Sequence, residues 1–406
     1  MRIIGNVDRC DGEAIEGWLH CPEHPDEPLR LDIFAGGTHL GQCVADIART
    51  DLALAGVGDG KCAFTFRMPA ALPAAALSSV QIRLAGSVLV LPGPPRAPLP
   101  AAPALLDPPA NDLAGLWIDR ADWSDLLARK HRRGELSDAM ADAIFRFVRD
   151  GFIVISGAVP DEVVDALNRA IDDFWRSPPT GLLMETFEPE GRMRVVPLDV
   201  TYRAGRTKML DLYAVSSAAR LAILSSKAIP FLTAIFEDVP KTFQGLTFWN
   251  GSQQAMRKDT AYVRVAGNKL ALAASWLALE DVQPGSGALE YYAGSHRSPH
   301  FLFGGTDKWI GTHHDEHERF LQSLHADAER EGYPRGAFAG HKGDVLIWHA
   351  DLAHGGAKVT RAGLSRRSLV THYCPAAAEP FYRGRAQHKV LDLGTVVFVA
   401  ERRDVG

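Results

Sequence analysis

The sequence lacks the features that mark several common classes of protein. No apolar run approaches the roughly 18 residues that a membrane-spanning helix requires, and there is no Walker or G-x-G-x-x-G motif for a nucleotide. Basic side chains are in slight deficit, 44 against 49 acidic ones, so the net charge of −5 provides no basic field for nucleic acid. The opening residues, MRIIGNVDRC, have no apolar core of a signal peptide. We therefore expect a cytoplasmic protein without a membrane span or a nucleic-acid partner.

Cysteine is also scarce. There are five, at positions 10, 21, 43, 62 and 374, an odd number without a Cys-x-x-Cys pair. Buried free thiols in a reducing compartment are the simplest interpretation. A zinc site built from Cys10, His20 and Cys21 is the alternative, although its spacing matches no known ligand pattern.

Proline is concentrated in one place. Eight of the nineteen residues from 91 to 109 (LPGPPRAPLPAAPALLDPP) are proline. Such a run forms neither a helix interior nor a sheet ladder, but an extended polyproline II segment. We therefore predict a linker over residues 93–112, between an N-terminal domain of residues 1–92 and a second domain of residues 113–406. A ligand for an SH3-type domain is the alternative interpretation of the run.

Residues 1–92 contain short runs typical of β-strands, separated by the turn sequences HPDEP, AGGT and GVGDG. Many short strands with glycine- and proline-rich turns predict a small β-sandwich. The predicted strands are Ala14–Leu19, Leu31–Phe34, His39–Val44, Ala63–Met68, Val80–Leu84 and Val88–Leu91. The phrases GNVDRCDGEAIEGWLH and ADIARTDLALAGVGDG resemble an accessory β-domain attached to bacterial enzymes of surface-polysaccharide assembly. That resemblance covers about 90 residues and implies a role linked to glycans.

Helices precede strands in the second part of the chain. Residues 112–149 are mostly helical in pattern, GFIVISGAV predicts a buried strand, and residues 160–176 carry an apolar helical stripe with Pro160 in the first turn. Two further helices are expected near 214–225 and 227–236. The predicted strands after them are Thr242–Trp249, Leu270–Val282, Gly287–Tyr292, Asp344–Trp348 and Arg366–Tyr373. This order predicts an α+β, mainly β fold in which helices flank a barrel or sandwich.

The pattern of histidine, aspartate and arginine in this part bears on chemistry. Non-haem iron(II) oxygenases hold the metal with two histidines and one carboxylate, and a strand supplies two such ligands only at positions i and i+2. Four segments resemble the phytanoyl-CoA dioxygenase family in order and spacing: GSQQAMRKDTAYVRV, LALAASWLALEDVQPGSGALEYYAGSHR, GDVLIWHADLAHGG and SRRSLVTHY. The resemblance covers about residues 150–375. It implies a double-stranded β-helix (jelly-roll or cupin-like) domain that uses Fe(II) and 2-oxoglutarate to hydroxylate an organic substrate.

The resemblance also implies roles for individual residues. The carboxylate ligand of the metal falls on Asp259 and the distal histidine ligand on His354. The arginine that holds the far carboxylate of 2-oxoglutarate falls on Arg366, or on Arg367 if the register is shifted by one residue. Arg257 stands where the family has its first histidine ligand, and we mark it as the catalytic position that has changed.

A guanidinium has no lone pair to offer a metal and stays protonated, so Arg257 cannot replace an imidazole ligand. Its repulsion of a divalent cation at about 4 Å amounts to roughly 8 kcal/mol at an effective dielectric of 20. One hypothesis is therefore that the site binds iron weakly or not at all. A second is that Arg257 forms a salt bridge with Asp259, its charge partly replacing that of the metal.

Further residues have both a functional and a structural interpretation. Gln254 could bind the cosubstrate or simply shape a turn, and Tyr262 and Trp276 could line the substrate pocket or belong to the core. His349 and Asp351 form a rival His-x-Asp motif, but they lie too close to His354 on one strand and its turn to complete a metal triad. The histidine-rich tract 313–317 is interpreted as a solvated surface.

Three functions follow from these observations. The chain could be an active hydroxylase, a catalytically silent relative that binds a small molecule or a glycan precursor, or a scaffold in polysaccharide assembly. The sequence does not indicate the oligomeric state, and it does not identify the substrate.

Overall fold

The computed structural model describes residues 3–10, 12–35, 38–54, 56–69, 80–85, 113, 115–187, 193–382, 385–386 and 388–400. Internal contacts divide the chain into two units, Met1–Asp107 with Leu393–Thr395, and Pro108–Asp392 with Val396–Gly406. The predicted strand Val88–Leu91 and the predicted linker up to residue 112 lie outside the described residues. The domain limits at 92 and 113 therefore stay a prediction.

The first unit is a two-sheet β-sandwich, as predicted. Its elements are β1 (Ile4–Cys10), β2 (Ala14–His20), β3 (Leu29–Ala35), β4 (Thr38–Ala45), β5 (Ile47–Ala48), helix α1 (Thr50–Leu54), β6 (Lys61–Arg67) and β7 (Val80–Leu84). One sheet has the order β1-β2-β6-β5 and the other β4-β3-β7. Apolar side chains from both sheets, such as Ile15, Phe64 and Leu31, pack into one core. All five cysteines of the chain are free thiols, and Cys10 and Cys21 belong to this core.

The helices of the second unit are α2 (Trp123–Arg132), α3 (Asp138–Asp150), α4 (Asp161–Arg176), α5 (Ser217–Leu224), α6 (Ala228–Phe236) and α7 (His317–Glu331). Helix α4 buries its predicted stripe, but Pro160 is the cap residue before the helix and does not lie in the first turn. Among the described residues no single helix is long and apolar enough to span a membrane. Together, α5 and α6 meet that test by length and composition, with a 66° bend between them.

The strands of the second unit are β8 (Phe152–Ile155), β9 (Leu183–Phe187), β10 (Met193–Pro197), β11 (Lys208–Leu210), β12 (Pro240–Phe248), β13 (Val263–Val265), β14 (Ala273–Ala278), β15 (Leu289–Tyr292), β16 (Arg335–Ala337), β17 (Val345–His349), β18 (His354–Gly356), β19 (Ser368–Pro375), β20 (Pro380–Tyr382), β21 (Arg385–Ala386), β22 (His388–Asp392) and β23 (Val397–Ala400). The largest sheet runs β10-β9-β11-β12-β19-β14-β17-β8, with β22 and β23 beside it. Strands β16, β15 and β18 form a second sheet, and β13, β20 and β21 a third.

Seven of the eight strands from β12 to β19 form a double-stranded β-helix, and β13 pairs outside it with β20. Strands β12, β14, β17 and β19 are antiparallel neighbours in the large sheet, whereas β15, β16 and β18 pair in the small one. From β14 to β19 the chain therefore passes repeatedly between the large and the small sheet, which is the jelly-roll pattern. The predicted fold, with flanking helices, is confirmed.

The space between the two sheets is filled by large side chains. Trp276 on β14 and Trp348 on β17 point inward, where they meet Val370 of β19 and Leu289 of β15. Since side chains alternate along a strand, Val370 fixes the inward face of β19 at even-numbered positions. That face carries His372 as well.

Candidate active site

Asp259 and His354 lie together at one end of the jelly roll. The backbone of Arg257 pairs with that of His354 through two hydrogen bonds of 2.8 and 2.9 Å, which brings the turn Asp259–Ala261 beside β18. Oδ1 of Asp259 is then 3.5 Å from Nε2 of His354. The two residues are only 6% and 4% exposed, respectively.

The second ring nitrogen of His354 fixes its orientation. Nδ1 lies 2.9 Å from the carbonyl oxygen of Leu352, so it carries the proton and donates it. Nε2 of the neutral ring therefore presents a lone pair towards the carboxylate. Burial lowers the pKa of His354, although Asp259 opposes this effect. An anionic oxygen and an imidazole lone pair facing each other form a donor pair suited to a cation, and a backbone carbonyl on the other nitrogen is typical of metal-binding histidines.

The other carboxylate oxygen of Asp259 is held from the large sheet. The indole Nε1 of Trp348 donates to Oδ2 over 2.7 Å, and Nε2 of His372 lies 3.2 Å from the same oxygen. Burial alone would raise the pKa of Asp259, but His354, whose ring carries a positive charge once it is protonated in acid, together with His372 and the Arg257 guanidinium outweighs it and holds that pKa well below its usual range. The carboxylate is therefore ionised and fixed in orientation.

Arg257 does not turn towards Asp259. Its guanidinium donates to the side-chain oxygen of Gln254 and lies 5.7 Å from the centroid of the Tyr262 ring. Within the described ranges it has no acidic partner inside 4 Å, so the predicted salt bridge between Arg257 and Asp259 is wrong. The physical reason is that Trp348 and His372 already contact the second oxygen of that carboxylate, while Gln254 offers Arg257 a nearer acceptor.

Arg366 is a buried cation on the inward side of the large sheet. It is 2% exposed, and its guanidinium lies 5.5 Å from the ring centroid of Phe248 and 5.2 Å from that of Trp276. Its guanidinium makes a single long contact, 3.4 Å, to the carbonyl of Asn250, and Nε has no partner in the described part of the chain. Burial lowers the pKa of Arg366 to about 10, partly offset by Glu280.

The neighbouring Arg367 faces the other way. Its guanidinium pairs with Asp172 of α4 at 3.2 Å and stacks 3.6 Å above the ring centroid of Trp249. The alternative register, in which Arg367 would take the inward position, does not match this geometry. A buried guanidinium without a carboxylate partner is costly, so Arg366 is the arginine of the pair that suits an anionic ligand.

A sequence model described as Phytanoyl-CoA dioxygenase (PhyH) matches residues 147–368, more than half of the chain. The chain belongs to the phytanoyl-CoA dioxygenase family. The family's members use iron(II) and 2-oxoglutarate, so the cofactors implied by the resemblance are confirmed for the family. No curated protein matches the chain.

Several solved structures are similar to this member of the family. They include the non-haem α-ketoglutarate-dependent carbocyclase SnoK from nogalamycin biosynthesis, at 16% identity, covering 62% of this chain and 88% of that one with a TM-score of 0.44. EctD from S. alaskensis with 2-oxoglutarate and 5-hydroxyectoine is 19% identical, covering 62% and 80% with a TM-score of 0.43. AviO1 from Streptomyces viridochromogenes Tue57 is 20% identical, covering 60% and 98% with a TM-score of 0.39.

The donor set fits the iron of the phytanoyl-CoA dioxygenase family only in part. Asp259 and His354 lie where the resemblance assigns two of the three protein ligands, and Arg257 stands at the third assigned position. Throughout the described residues, no group of three or more His, Cys, Asp or Glu side chains is arranged to hold a metal ion. His372 approaches the other oxygen of Asp259 and is not part of such a group. Iron as this family holds it therefore does not fit.

The remaining predicted residues occupy distinct positions around the family site. Gln254 is the partner of Arg257. Tyr262 lies beneath the same guanidinium, and its hydroxyl is 2.7 Å from Nε2 of His317. Trp276 is 1% exposed and packs edge-on against Phe338, so it supports Arg366 from within the core. Their roles in binding stay a prediction.

The rival motifs lie elsewhere. Nε2 of His349 is 2.9 Å from Asp119, on the outer side of the large sheet. Asp351 is fully buried and bonds Lys308 and Thr260. These two residues therefore form structural contacts and no metal triad. The tract 313–317 is mostly exposed, as expected, although His317 contacts Tyr262.

The sequence alone did not identify His372 and Trp348 as part of the site. The signal for His372 was its even spacing from Val370 on β19 and from Arg366 just before that strand, which favours one face for all three. Trp348 follows the same alternation on β17, but its indole donor meets Asp259 only because β17 and the turn Asp259–Ala261 come together in three dimensions.

Proposed function

We propose that this chain is an oxygenase-type protein of the phytanoyl-CoA dioxygenase family whose turnover is suppressed at the metal. It binds 2-oxoglutarate through Arg366 and a small molecule or glycan precursor in the jelly roll. Arg257 prevents tight binding of iron, so hydroxylation is impaired. The family's metal, when bound, supplies the oxidising chemistry, and the protein supplies orientation.

One observation carries this proposal. Asp259 and His354 keep the arrangement of two metal ligands, with an ionised carboxylate and a neutral imidazole 3.5 Å apart. The residue whose backbone pairs with His354 is Arg257, a permanent cation where a third ligand is needed. The buried Arg366, at the position that the resemblance assigns to the cosubstrate arginine, supports the same proposal.

The experiment is to compare the natural chain with Arg257→His. Both are incubated with Fe(II), ascorbate, oxygen and 2-oxoglutarate, and succinate is measured. We expect succinate near the protein-free blank for the natural chain and at least about tenfold more for Arg257→His, because the added imidazole completes the ligand set. Arg319→His, a matched change at an exposed arginine of α7, should leave succinate at the blank. Equal succinate from the natural chain and Arg257→His would refute the proposal.

We infer the chemical class of the organic ligand from the first 92 residues of the sequence. Their resemblance to an accessory domain of surface-polysaccharide enzymes supports a cytoplasmic glycan precursor as the organic ligand. A thermal-shift screen of the full chain tests this, because a ligand that binds only the folded state raises its stability. Stabilisation by sugar nucleotides and none by acyl-CoA thioesters is expected, and the reverse pattern would contradict the glycan assignment.

A further inference from the structure

We propose that Arg257 and Arg366 together bind a small dicarboxylate without any metal ion, the Arg257 guanidinium taking over the role that iron has in the family. This inference rests on the proposed function and specifies the ligand of the same site. It predicts a stable complex with 2-oxoglutarate or a similar dicarboxylate when metals are removed.

Both cations lack a counter-ion. In the regions that the structure describes, neither Arg257 nor Arg366 has a carboxylate within 4 Å. Glu280, the acid whose charge acts on Arg366, directs its oxygens to the backbone of Arg367 and the hydroxyl of Ser365. Asp259 acts on Arg257 only at longer range. Arg366 is buried and Arg257 is half-buried. Because a cation removed from water without a partner is unfavourable, an anion bound to each guanidinium would stabilise the folded chain, and most strongly at Arg366.

One cleft connects the surroundings of the two arginines. Phe248 and Asn250, which contact Arg366, and Gln254, which contacts Arg257, line the same narrow opening. Neither arginine lines this opening, so we infer that a ligand with an acidic group at each end reaches both guanidinium groups behind these contacting residues. Carboxylates match a guanidinium in shape, since each offers two oxygens to two N–H donors.

Gln254 occupies the place of one ligand carboxylate. The open volume of the cleft is only about 10 Å³, so a dicarboxylate has to displace a side chain. The amide oxygen of Gln254 is the one hydrogen-bond acceptor that the described residues give the Arg257 guanidinium. A charged carboxylate is a stronger acceptor than a neutral amide, so the ligand can replace Gln254 on Arg257.

Calorimetric titration of the full chain with 2-oxoglutarate and with glutarate tests this inference. Binding is measured in excess EDTA and again with Mn(II), which supplies a divalent ion without redox turnover. We expect affinities that agree within about twofold in the two conditions, because charge-assisted hydrogen bonds supply the binding energy. Propionate, which has one carboxylate, should bind at least about tenfold more weakly.

Four variants sharpen the result. Arg257→Gln and Arg366→Met should each weaken dicarboxylate binding in EDTA at least about tenfold. Gln254→Glu should do the same, because an internal carboxylate would satisfy Arg257. Arg319→Gln, at an exposed position, should bind like the natural chain. A melting curve for each variant separates lost binding from lost folding, and Gln254→Glu keeps the test valid if Arg366→Met does not fold.

The outcomes separate this inference from the proposed function. Binding that requires Mn(II), or that Arg257→Gln and Gln254→Glu leave unchanged, would overturn the metal-free site while leaving the proposed function intact. If 2-oxoglutarate binds neither the natural chain nor Arg257→His, with or without Mn(II), both proposals fail.

Discussion

Nε2 of His372 lies 3.2 Å from Oδ2 of Asp259, inside the jelly roll. Together with the indole of Trp348, this contact fixes one oxygen of the carboxylate and leaves the other facing His354. In our proposal, the residues that would orient Asp259 and His354 as metal ligands are therefore present, and the side chain at position 257 is what prevents tight metal binding. A site of this kind should regain metal binding from a single substitution.

The role of Trp348 as a positioning residue can be tested in the Arg257→His background. Trp348→Phe removes the hydrogen bond to Asp259, and we expect the affinity for Mn(II) to fall by about 10–100-fold, as is usual for residues that orient metal ligands. Trp123→Phe, a change at a half-buried tryptophan of α2, is the matched control. If both variants bind Mn(II) equally well, Trp348 has only a packing role.

Asp351 should be important for stability and not for chemistry. Its buried carboxylate bonds Lys308 and Thr260 and acts on the buried Lys258. We expect Asp351→Asn to lower the free energy of unfolding at pH 7 by about 3–5 kcal/mol, because it leaves buried ammonium groups uncompensated. Urea unfolding of this variant and of the exposed-site control Asp315→Asn measures the difference. An equal effect of the two substitutions would contradict the prediction.

The Asp351 carboxylate should also make the free energy of unfolding depend on pH, in a direction that its lowered pKa determines. Burial would raise the pKa of Asp351, but Lys308 and Lys258 hold it well below its usual range. Its folded pKa is therefore lower than its unfolded value of about 3.9, so its contribution to stability is complete above that value and is lost as the pH falls further. The difference between the natural chain and Asp351→Asn should accordingly shrink below about pH 4. A stability difference between the two proteins that grows as the pH falls would contradict the prediction that the pKa of Asp351 is lowered in the folded state.

Cys374 should be chemically inert in the folded protein. Burial raises its thiol pKa to about 12, so only about one thiol in 10⁴ is ionised at pH 8. Iodoacetamide at pH 8, followed by mass spectrometry, should leave Cys374 unmodified in the native chain and modify it fully in urea. Rapid native labelling would show an accessible thiolate.

Five jelly-roll strands, β12, β14, β15, β17 and β19, could be predicted because their apolar and β-branched runs are bounded by clear turns. The three-residue strands β13, β16 and β18 were not predicted. The observed limits of strand β12, and those of helix α4 beside the jelly roll, differ from the predicted ones by at most two residues. Strand β1 was not predicted, since Ile4–Cys10 contains Gly5, Asn6 and Asp8, residue types that are rare in strands. Its pairing with β2 outweighs that local preference.

The candidate site could be predicted only for residues that belong to a recognisable sequence motif. The resemblance to the family assigns roles to Asp259, His354 and Arg366, and the structure brings the first two together. The direction of the Arg257 side chain could not be predicted. That direction depends on the contacts that Trp348 and His372 make with the Asp259 carboxylate. Those contacts depend in turn on the register between distant strands.

The affinity of the full chain for Mn(II), measured by electron paramagnetic resonance with and without Arg257→His, tests most directly the claim that Arg257 disables the metal site. We predict binding at least about a hundredfold tighter for Arg257→His, since loss of a ligand should cost no less than the 10–100-fold typical of its supporting residues. One tightly bound Mn(II) per natural chain, with an affinity equal to that of Arg257→His, would contradict the account.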